Sequence, residues 1–293
     1  MAGNNVAVSL QAIRTYKLRI MKKSILLLCL AISGISNAQM HSIEKLWETD
    51  TIIPVPESVL PDVQANTLYI SLINGGGWDK DAIGGIGKLN LSGRHFRGNW
   101  VEGLNAPKGL GRVGNKLFVA DIDVVAVIDI VTARIEKKIS LEGAAGLNDI
   151  TTDRRGVVYV SDSRKARIWK LEKERPSVYL DSVKGANGLK AIGDDLFFAE
   201  GKKLKKANRQ KQISTIAELP QGIDGIEPVG NGDLLVSAWS GYLFYVTASG
   251  QVEVLLDTHL EKMNTADMGY DPVKRIIYMP TFNAKKLVAY RLR

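Results

Sequence analysis

Leu117-Phe118-Val119-Ala120-Asp121 is an apolar strand ending on a carboxylate, and Val158-Tyr159-Val160-Ser161-Asp162 repeats it further along the chain. Four more segments are apolar strands of the same length class, of which one also ends on a carboxylate: Leu68-Tyr69-Ile70-Ser71, Leu196-Phe197-Phe198-Ala199-Glu200, Leu234-Leu235-Val236-Ser237-Ala238 and Ile276-Ile277-Tyr278-Met279-Pro280. They recur at roughly 40 residues, the period of a four-stranded propeller blade. About 13 to 15 residues before each strand end stands Glu57, Lys108, Asn148, Asn187, Asp224 or Asp267, one equivalent position of the repeat. Five of those six residues are carboxylates or amides. The expectation is an all-β, six-bladed β-propeller of four-stranded antiparallel blades, with these side chains in a ring about its axis.

The rest of the chain agrees with that expectation. Apolar residues alternate or run in fours and fives between Gly, Asn and Asp, and no long helical period appears. Within a unit, turns such as Asp153-Arg154-Arg155-Gly156 and Gly230-Asn231-Gly232 separate successive strands. Unit boundaries fall near residues 103, 143, 182, 219 and 262. The last unit is short of a strand, whereas Ile43-Glu44-Lys45-Leu46-Trp47 is a spare one, so the N-terminal strand is predicted to close the last blade. Closure would hide the sheet edges that an open sheet exposes. The first unit carries an insertion, Asn74-Gly75-Gly76-Gly77-Trp78 with Gly84-Gly85, which either covers one mouth of the channel or is a plain connection.

Met21-Lys22-Lys23, the apolar run Ile25 to Ile32 and Ser36-Asn37-Ala38 supply the charged, apolar and small-residue regions of an export signal cleaved after Ala38. Residues 1–38 are therefore predicted as a signal peptide with an upstream extension before Met21, and 39–293 as a single propeller domain. An exported chain of this kind is periplasmic or extracellular. The apolar run is too short, and too soon broken by Ser33 and Gly34, to favour stable membrane insertion. Cys29, the single cysteine, lies inside the signal, so the mature chain is expected to have neither disulfide nor thiolate site. Leucines rather than small residues precede it, which disfavours lipidation.

Of the formal charge of +8, Arg14, Lys17, Arg19, Lys22 and Lys23 supply five with no acid before Gln39, leaving +3 on the mature chain. Nucleic acid loses its electrostatic support as a partner. The run Lys202, Lys203, Lys205, Lys206, Arg209 and Lys211 reads as the solvated face of one hairpin.

Glu57-Ser58-Val59-Leu60-Pro61, Leu147-Asn148-Asp149 with Asp153 and Gly156, Ala186-Asn187-Gly188-Leu189, and Ile223-Asp224-Gly225-Ile226 with Gly230-Asn231-Gly232 stand in register with the repeat. With these motifs the mature chain resembles the regucalcin/gluconolactonase family of six-bladed propellers, the senescence marker protein type. The resemblance implies one divalent cation on the axis, commonly calcium, held by Glu57, Asn187 and Asp224. It also implies that Asn148 meets substrate or metal-bound water, that Asp224 activates water, and that the substrate is a lactone. Two positions depart from the family pattern. Where the family has an arginine two residues before the asparagine, this chain has Gly146, so sugar-lactone specificity is not supported. Pro54, Pro56 and Pro61 make the Glu57 loop unlike the family's Glu-Gly-Pro.

Elementary chemistry points the same way. Converging carboxylate and amide oxygens repel or stay unsatisfied unless a cation or water joins them, and all-oxygen ligation suits calcium or magnesium. Such a cation polarises an ester carbonyl and acidifies bound water. Singly, Asn148, Asn187 and Asp224 read equally as turn residues that satisfy loop backbone. Lys108 either binds a substrate carboxylate or phosphate or balances Glu57 and Asp267. Asp267 contacts substrate or is structural. Trp78, Trp100 and Trp239 either line a mouth or pack between blades. With His41, His95 and His259 the only histidines, no Ser-His-Asp arrangement can be assembled, and no phosphate-binding glycine loop precedes a helix.

The expected function is an exported, divalent-metal-dependent hydrolase of a lactone or small ester. The metal ligands are Glu57, Asn187 and Asp224, Asp224 is the catalytic residue, and Asn148, Lys108 and Asp267 face a small-molecule substrate. The alternatives are a non-catalytic propeller that binds a glycan, peptide or protein partner, and a propeller whose metal is purely structural.

Overall fold

Every one of the six apolar segments is the second strand of a four-stranded antiparallel sheet. The computed structural model describes residues 41–50 and 52–293; the segment predicted as an export signal, with Cys29, lies outside the described residues. After β1 (Ile43–Glu48), blade one is β2 (Pro56–Asp62), β3 (Thr67–Leu72), β4 (Gly84–Leu89) and β5 (Arg97–Leu104). Blade two is β6 (Pro107–Val113), β7 (Lys116–Asp121), β8 (Val124–Asp129) and β9 (Arg134–Ser140). Blade three is β10 (Leu147–Thr152), β11 (Val158–Asp162), β12 (Arg167–Glu172) and β13 (Arg175–Leu180). Blade four is β14 (Ala186–Ile192), β15 (Asp195–Glu200), β16 (Lys203–Ala207) and β17 (Ile213–Glu218). Blade five is β18 (Ile226–Gly230), β19 (Asp233–Ala238), β20 (Tyr242–Val246) and β21 (Val252–Asp257). Blade six has β22 (Gly269–Asp271), β23 (Ile276–Pro280) and β24 (Leu287–Leu292), and β1 is its fourth strand.

The fold is a six-bladed propeller, closed as expected. Strand β1 pairs antiparallel with β24, from Ile43 opposite Leu292 to Glu48 opposite Val288. Leu46 and Trp47 of β1 pack on the core between blades six and one, beside Tyr278 and Leu68. Among the described residues the helical content is a single 3-10 turn, Phe282–Ala284. No helix among them is long and apolar enough to cross a membrane.

Strand composition follows position. The second strands are buried on both faces, which is why they read as continuous apolar runs, and their side chains build one core at each contact between blades. Phe118 and Val127 of blade two meet Val158 and Trp169 of blade three; Leu204 and Ala199 of blade four meet Val236 and Phe244 of blade five. Burying a Leu, Val or Phe side chain contributes about 2 kcal/mol. Repeated around the ring, that term keeps the blades together. The fourth strands instead alternate toward solvent, as in β9 with Glu136, Lys137 and Lys138, and the charges blunt the outer edges.

The inner strands position the site. In blades one to four the pairing of first with second strand slips by one residue: between Pro56 and Val59, Pro107 and Leu110, Leu147 and Ile150, and Ala186 and Leu189. Each slip is a β-bulge, and each holds a ring residue: Glu57, Lys108, Asn148 or Asn187. A bulge re-aims a side chain that a regular strand would direct at a neighbouring blade. In blades five and six the regular strand begins just after Asp224 and Asp267. There Asp224 N donates to Ser237 O at 2.8 Å, and Asp267 N donates across the blade boundary to Glu57 O at 3.0 Å.

Candidate functional site

Serines anchor the ring position in alternate blades. The backbone N–H after the ring residue donates to Ser71 Oγ in blade one (from Ser58, 2.9 Å), Ser161 Oγ in blade three (from Asp149, 2.9 Å) and Ser237 Oγ in blade five (from Gly225, 2.8 Å). Without these hydroxyls three buried donors would have no acceptor.

Close to the axis the inner strands approach so tightly that the next residue must be small. A Cβ on Gly109 would lie 2.5 Å from Asp149 Cα, one on Gly225 would lie 2.5 Å from Asp267 Oδ1, and one on Gly188 would lie 2.0 Å from the Asp224 carbonyl oxygen. Gly188→Ala is therefore expected to cost about 3 kcal/mol, at the upper end of overpacking, because the obstacle is backbone and cannot rotate aside. Chemical denaturation checks this, and an unchanged midpoint would contradict the close approach.

Five of the six ring residues form one electrostatic unit. Glu57, Lys108 and Asp224 are buried, and Asn187 is half-buried beside them. Asn187 Nδ2 donates to Asp224 Oδ1 at 2.8 Å. Burial pushes the Glu57 carboxyl well above the usual carboxylate range; Lys108 opposes the shift, and Asp224 and Asp267 add to it. Asp224 is pushed up to about 7, first by burial and then by Asp267, against the Asn187 hydrogen bond and Lys108. Asp267, also raised by burial, accepts from Ser58 Oγ at 2.6 Å. Lys108 is lowered by burial although Glu57 and Asp224 act to hold its proton. Asn148 stands apart, with its Nδ2 donating to Ser163 Oγ at 3.2 Å.

Other residues of the site had no assigned role in the sequence. Asp149 turns inward from its bulge, where its carboxylate accepts Ile150 N at 2.6 Å and Leu189 N of blade four. Burial and the facing Asp267 push its carboxyl well above the usual range. Three residues beyond the ring position, Lys190 of blade four and Glu227 of blade five pair at 2.6 Å. Burial alone would lower Lys190, but Glu227 outweighs it and the lysine is raised. A charged residue at that position in two adjacent units was the signal for the pair.

The blade-one insertion covers the mouth. Lys108 Nζ donates to Gly77 O at 2.8 Å and lies 4.4 Å from the centroid of the Trp78 ring. Arg164, from the loop between β11 and β12, places its guanidinium carbon 4.4 Å from the same centroid. The missing arginine at position 146 now has a physical reason: a Cβ on Gly146 would lie 2.6 Å from Arg164 Cγ and 2.8 Å from its Cβ. The two larger tryptophan alternatives divide. Trp100 packs within the core of blades one and two, 5.1 Å from Tyr69, whereas Trp239 is half-exposed on the loop after β19, edge-on to Phe282 at 5.5 Å.

Glu57 Oε2 and Asn187 Oδ1 are buried without a hydrogen-bond partner. Two orphaned oxygens beside the Asp224 carboxylate fit a hard cation, which takes oxygen ligands and neutralises facing acids. Among the described residues no three His, Cys, Asp or Glu side chains are grouped as a ready metal cage, so any such centre relies on the Asn187 amide.

No family model matches the chain, and no curated protein matches it. Solved structures do. A luciferin-regenerating enzyme superposes over 86% of this chain and 95% of its own, with a TM-score of 0.61 and 13% identity. A chain of the nidogen/laminin complex superposes over 69% of this chain and 80% of its own, with a TM-score of 0.58 and 16% identity. At such identities the shared property is the fold.

Proposed function

We propose that the chain is an exported, divalent-metal-dependent hydrolase of a lactone or small ester, of gluconolactonase type. The observation that carries this reading is the pair of orphaned buried oxygens, Glu57 Oε2 and Asn187 Oδ1, next to the buried carboxyl of Asp224. The similarity in fold to a luciferin-regenerating enzyme is consistent with it. Glu57, Asn187 and Asp224 would hold the cation, calcium by its preference for oxygen, and when bound it polarises the ester carbonyl. Asp224 takes a proton from the attacking water as general base. Water adds to the carbonyl carbon, the ring C–O bond breaks, and the proton passes from Asp224 to the departing alkoxide, giving a hydroxy acid. The Asn187 amide fixes the Asp224 carboxylate, Asn148 orients the substrate from blade three, and Lys108 and Asp267 contact it from blades two and six. A lactone panel assayed with calcium and with chelator tests the proposal: chelator-sensitive turnover is expected, and none across the panel would reject it.

Half-exposed Trp239, edge-on to Phe282 on the same face, favours a second reading in which the propeller binds a macromolecular partner. Retention of a partner by both the wild type and Asp224→Ala, without turnover, would support it.

The buried carboxyls also set a pH dependence. In chelated protein the unfolded Asp ionises near pH 3.9, while folded Asp224 keeps its proton to about 7. Between those values the folded state binds more protons, so stability falls as pH rises. Glu57, Asp149 and Asp267 act in the same direction. The melting temperature of chelated protein is expected to fall between pH 4 and pH 8 and to recover on adding calcium at pH 8, which pairs with the ionised acids. A flat profile in thermal melts would contradict the buried cluster.

A further inference from the structure

The axial site is bipolar. Asp224, Asp267 and Glu57 occupy blades five, six and one, whereas Lys108 and Arg164 come from blades two and three. In a ring of six, blade two faces blade five, so Lys108 stands opposite Asp224. We propose that Lys108 and Arg164, gathered on Trp78, receive a carboxylate carried by the substrate, so that the compound turned over is an anionic lactone or ester. This rests on the hydrolase reading for the reaction, but the receptor can be tested without turnover.

Three observations support it. The first is that both cations lie 4.4 Å from the centroid of one indole ring, close enough that Arg164 is among the charges that disfavour the Lys108 proton. Glu57, Asp224 and Asp121 favour the Lys108 charge, so of the two cations it is the Arg164 guanidinium that has no acid paired to it among the described residues. The second is that their donors are unspent. Among the described residues Arg164 makes no side-chain hydrogen bond or ion pair, and Lys108 uses one of its three N–H groups, on Gly77 O. The third is that the position of Arg164 is built into the chain. Its stem crosses Gly146 at a distance that excludes any side chain there, and the guanidinium carbon reaches 4.4 Å from the Trp78 centroid.

A planar guanidinium fork matches the two oxygens of a carboxylate, and an adjacent ammonium adds a third donor. Trp78 belongs to a loop tied down at its far side by Lys80 on Asp123 at 2.5 Å and by Ala82 N on Asn105 Oδ1 at 3.3 Å. The incoming carboxylate accepts from an N–H of Lys108 that Gly77 O does not use. A molecule anchored there by its anionic end extends its carbonyl across the axis toward Asp224.

Isothermal titration of the full chain with tetrahydrofuran-2-carboxylate, compared with the neutral tetrahydrofuran-2-carboxamide, tests the receptor with ligands that cannot be hydrolysed. The carboxylate is expected to bind about tenfold or more tightly than the amide, the scale of a charge-assisted hydrogen bond. The preference should weaken with salt and disappear in Arg164→Gln and in Lys108→Met. Arg164 is exposed, so its variant is expected to keep the wild-type melting profile. Equal affinity for the two ligands, binding of neither, or a preference that survives both variants would overturn the proposal. Turnover of neutral lactones with no carboxylate preference would reject the receptor and leave the hydrolase. A carboxylate preference with no turnover of any lactone would do the reverse.

Discussion

Asp224→Asn is expected to lower kcat/KM for lactone hydrolysis by about 10²–10⁴-fold, the usual worth of a positioned general base, while the fold is kept. The substitution is nearly isosteric, so the contact with Asn187 and the backbone bond from Asp224 N to Ser237 O need not move. What changes is charge. The axis loses one of four facing acids, with Glu57, Asp149 and Asp267 remaining. In chelator at pH 8 the variant should therefore melt higher than the wild type, because a buried repulsion has been removed. With calcium the order should reverse, because a ligand has been lost and binding no longer adds to stability. This crossing of two melting curves separates a site that evolved to hold a cation from an acidic cluster with another role. Unchanged turnover would place the base elsewhere, and parallel melting curves would remove Asp224 from the ligand set.

The second large effect concerns the seam of the ring. Deleting residues 41–48 removes the outer strand of blade six and is expected to abolish cooperative unfolding, because β24 then presents an unpaired edge and the core between blades six and one loses Leu46 and Trp47. A milder variant locates the cause. Trp47 lies flat on Gly93, where a Cβ would meet its ring at 2.6 Å, and its centroid is 6.1 Å from that of Tyr278. Trp47→Ala should cost about 3 kcal/mol, the low end for losing a large aromatic. Arg293→Ala, which removes the exposed ion pair to Glu44, should cost well under 1 kcal/mol. Urea denaturation of the three proteins checks the ranking; equal midpoints for Trp47→Ala and Arg293→Ala would show that packing does not close the seam.

The architecture was legible because one requirement recurs six times. A second strand buried on both faces must be apolar throughout, so Leu117 to Asp121 and its five counterparts stand out, and Ile43 to Trp47 stands out as a strand without a sheet. The ring was legible by residue type alone: Glu57, Lys108, Asn148, Asn187, Asp224 and Asp267 all open inner strands. The geometry that aims them was hidden, because a bulge is a slip of register between two strands and neither strand records it alone. Asp149 was quoted only as part of a motif, since the space it enters exists only where Gly109 and Gly188 let neighbouring strands come close. Arg164 was missed for a related reason. Gly146 looked like the loss of an arginine, and only the fold shows that another arginine crosses above it. The insertion around Trp78 was open to two readings, and the bond from Lys108 to Gly77 O decides for the cover.

The pairing of β1 with β24 has a consequence for how the protein is made. Glu44 and Arg293, partners across the seam, are 249 residues apart in the chain. At about 5–20 residues per second of synthesis, β1 leaves the ribosome many seconds before its partner exists. Throughout that interval five blades can form pairwise from local contacts while β1 has no partner strand and Leu46 and Trp47 lack the blade-six half of their core. Vectorial folding thus leaves a nascent chain with one sticky strand at its leading end, a substrate for whatever chaperone meets it first, and the last step of maturation is the docking of the oldest segment onto the newest.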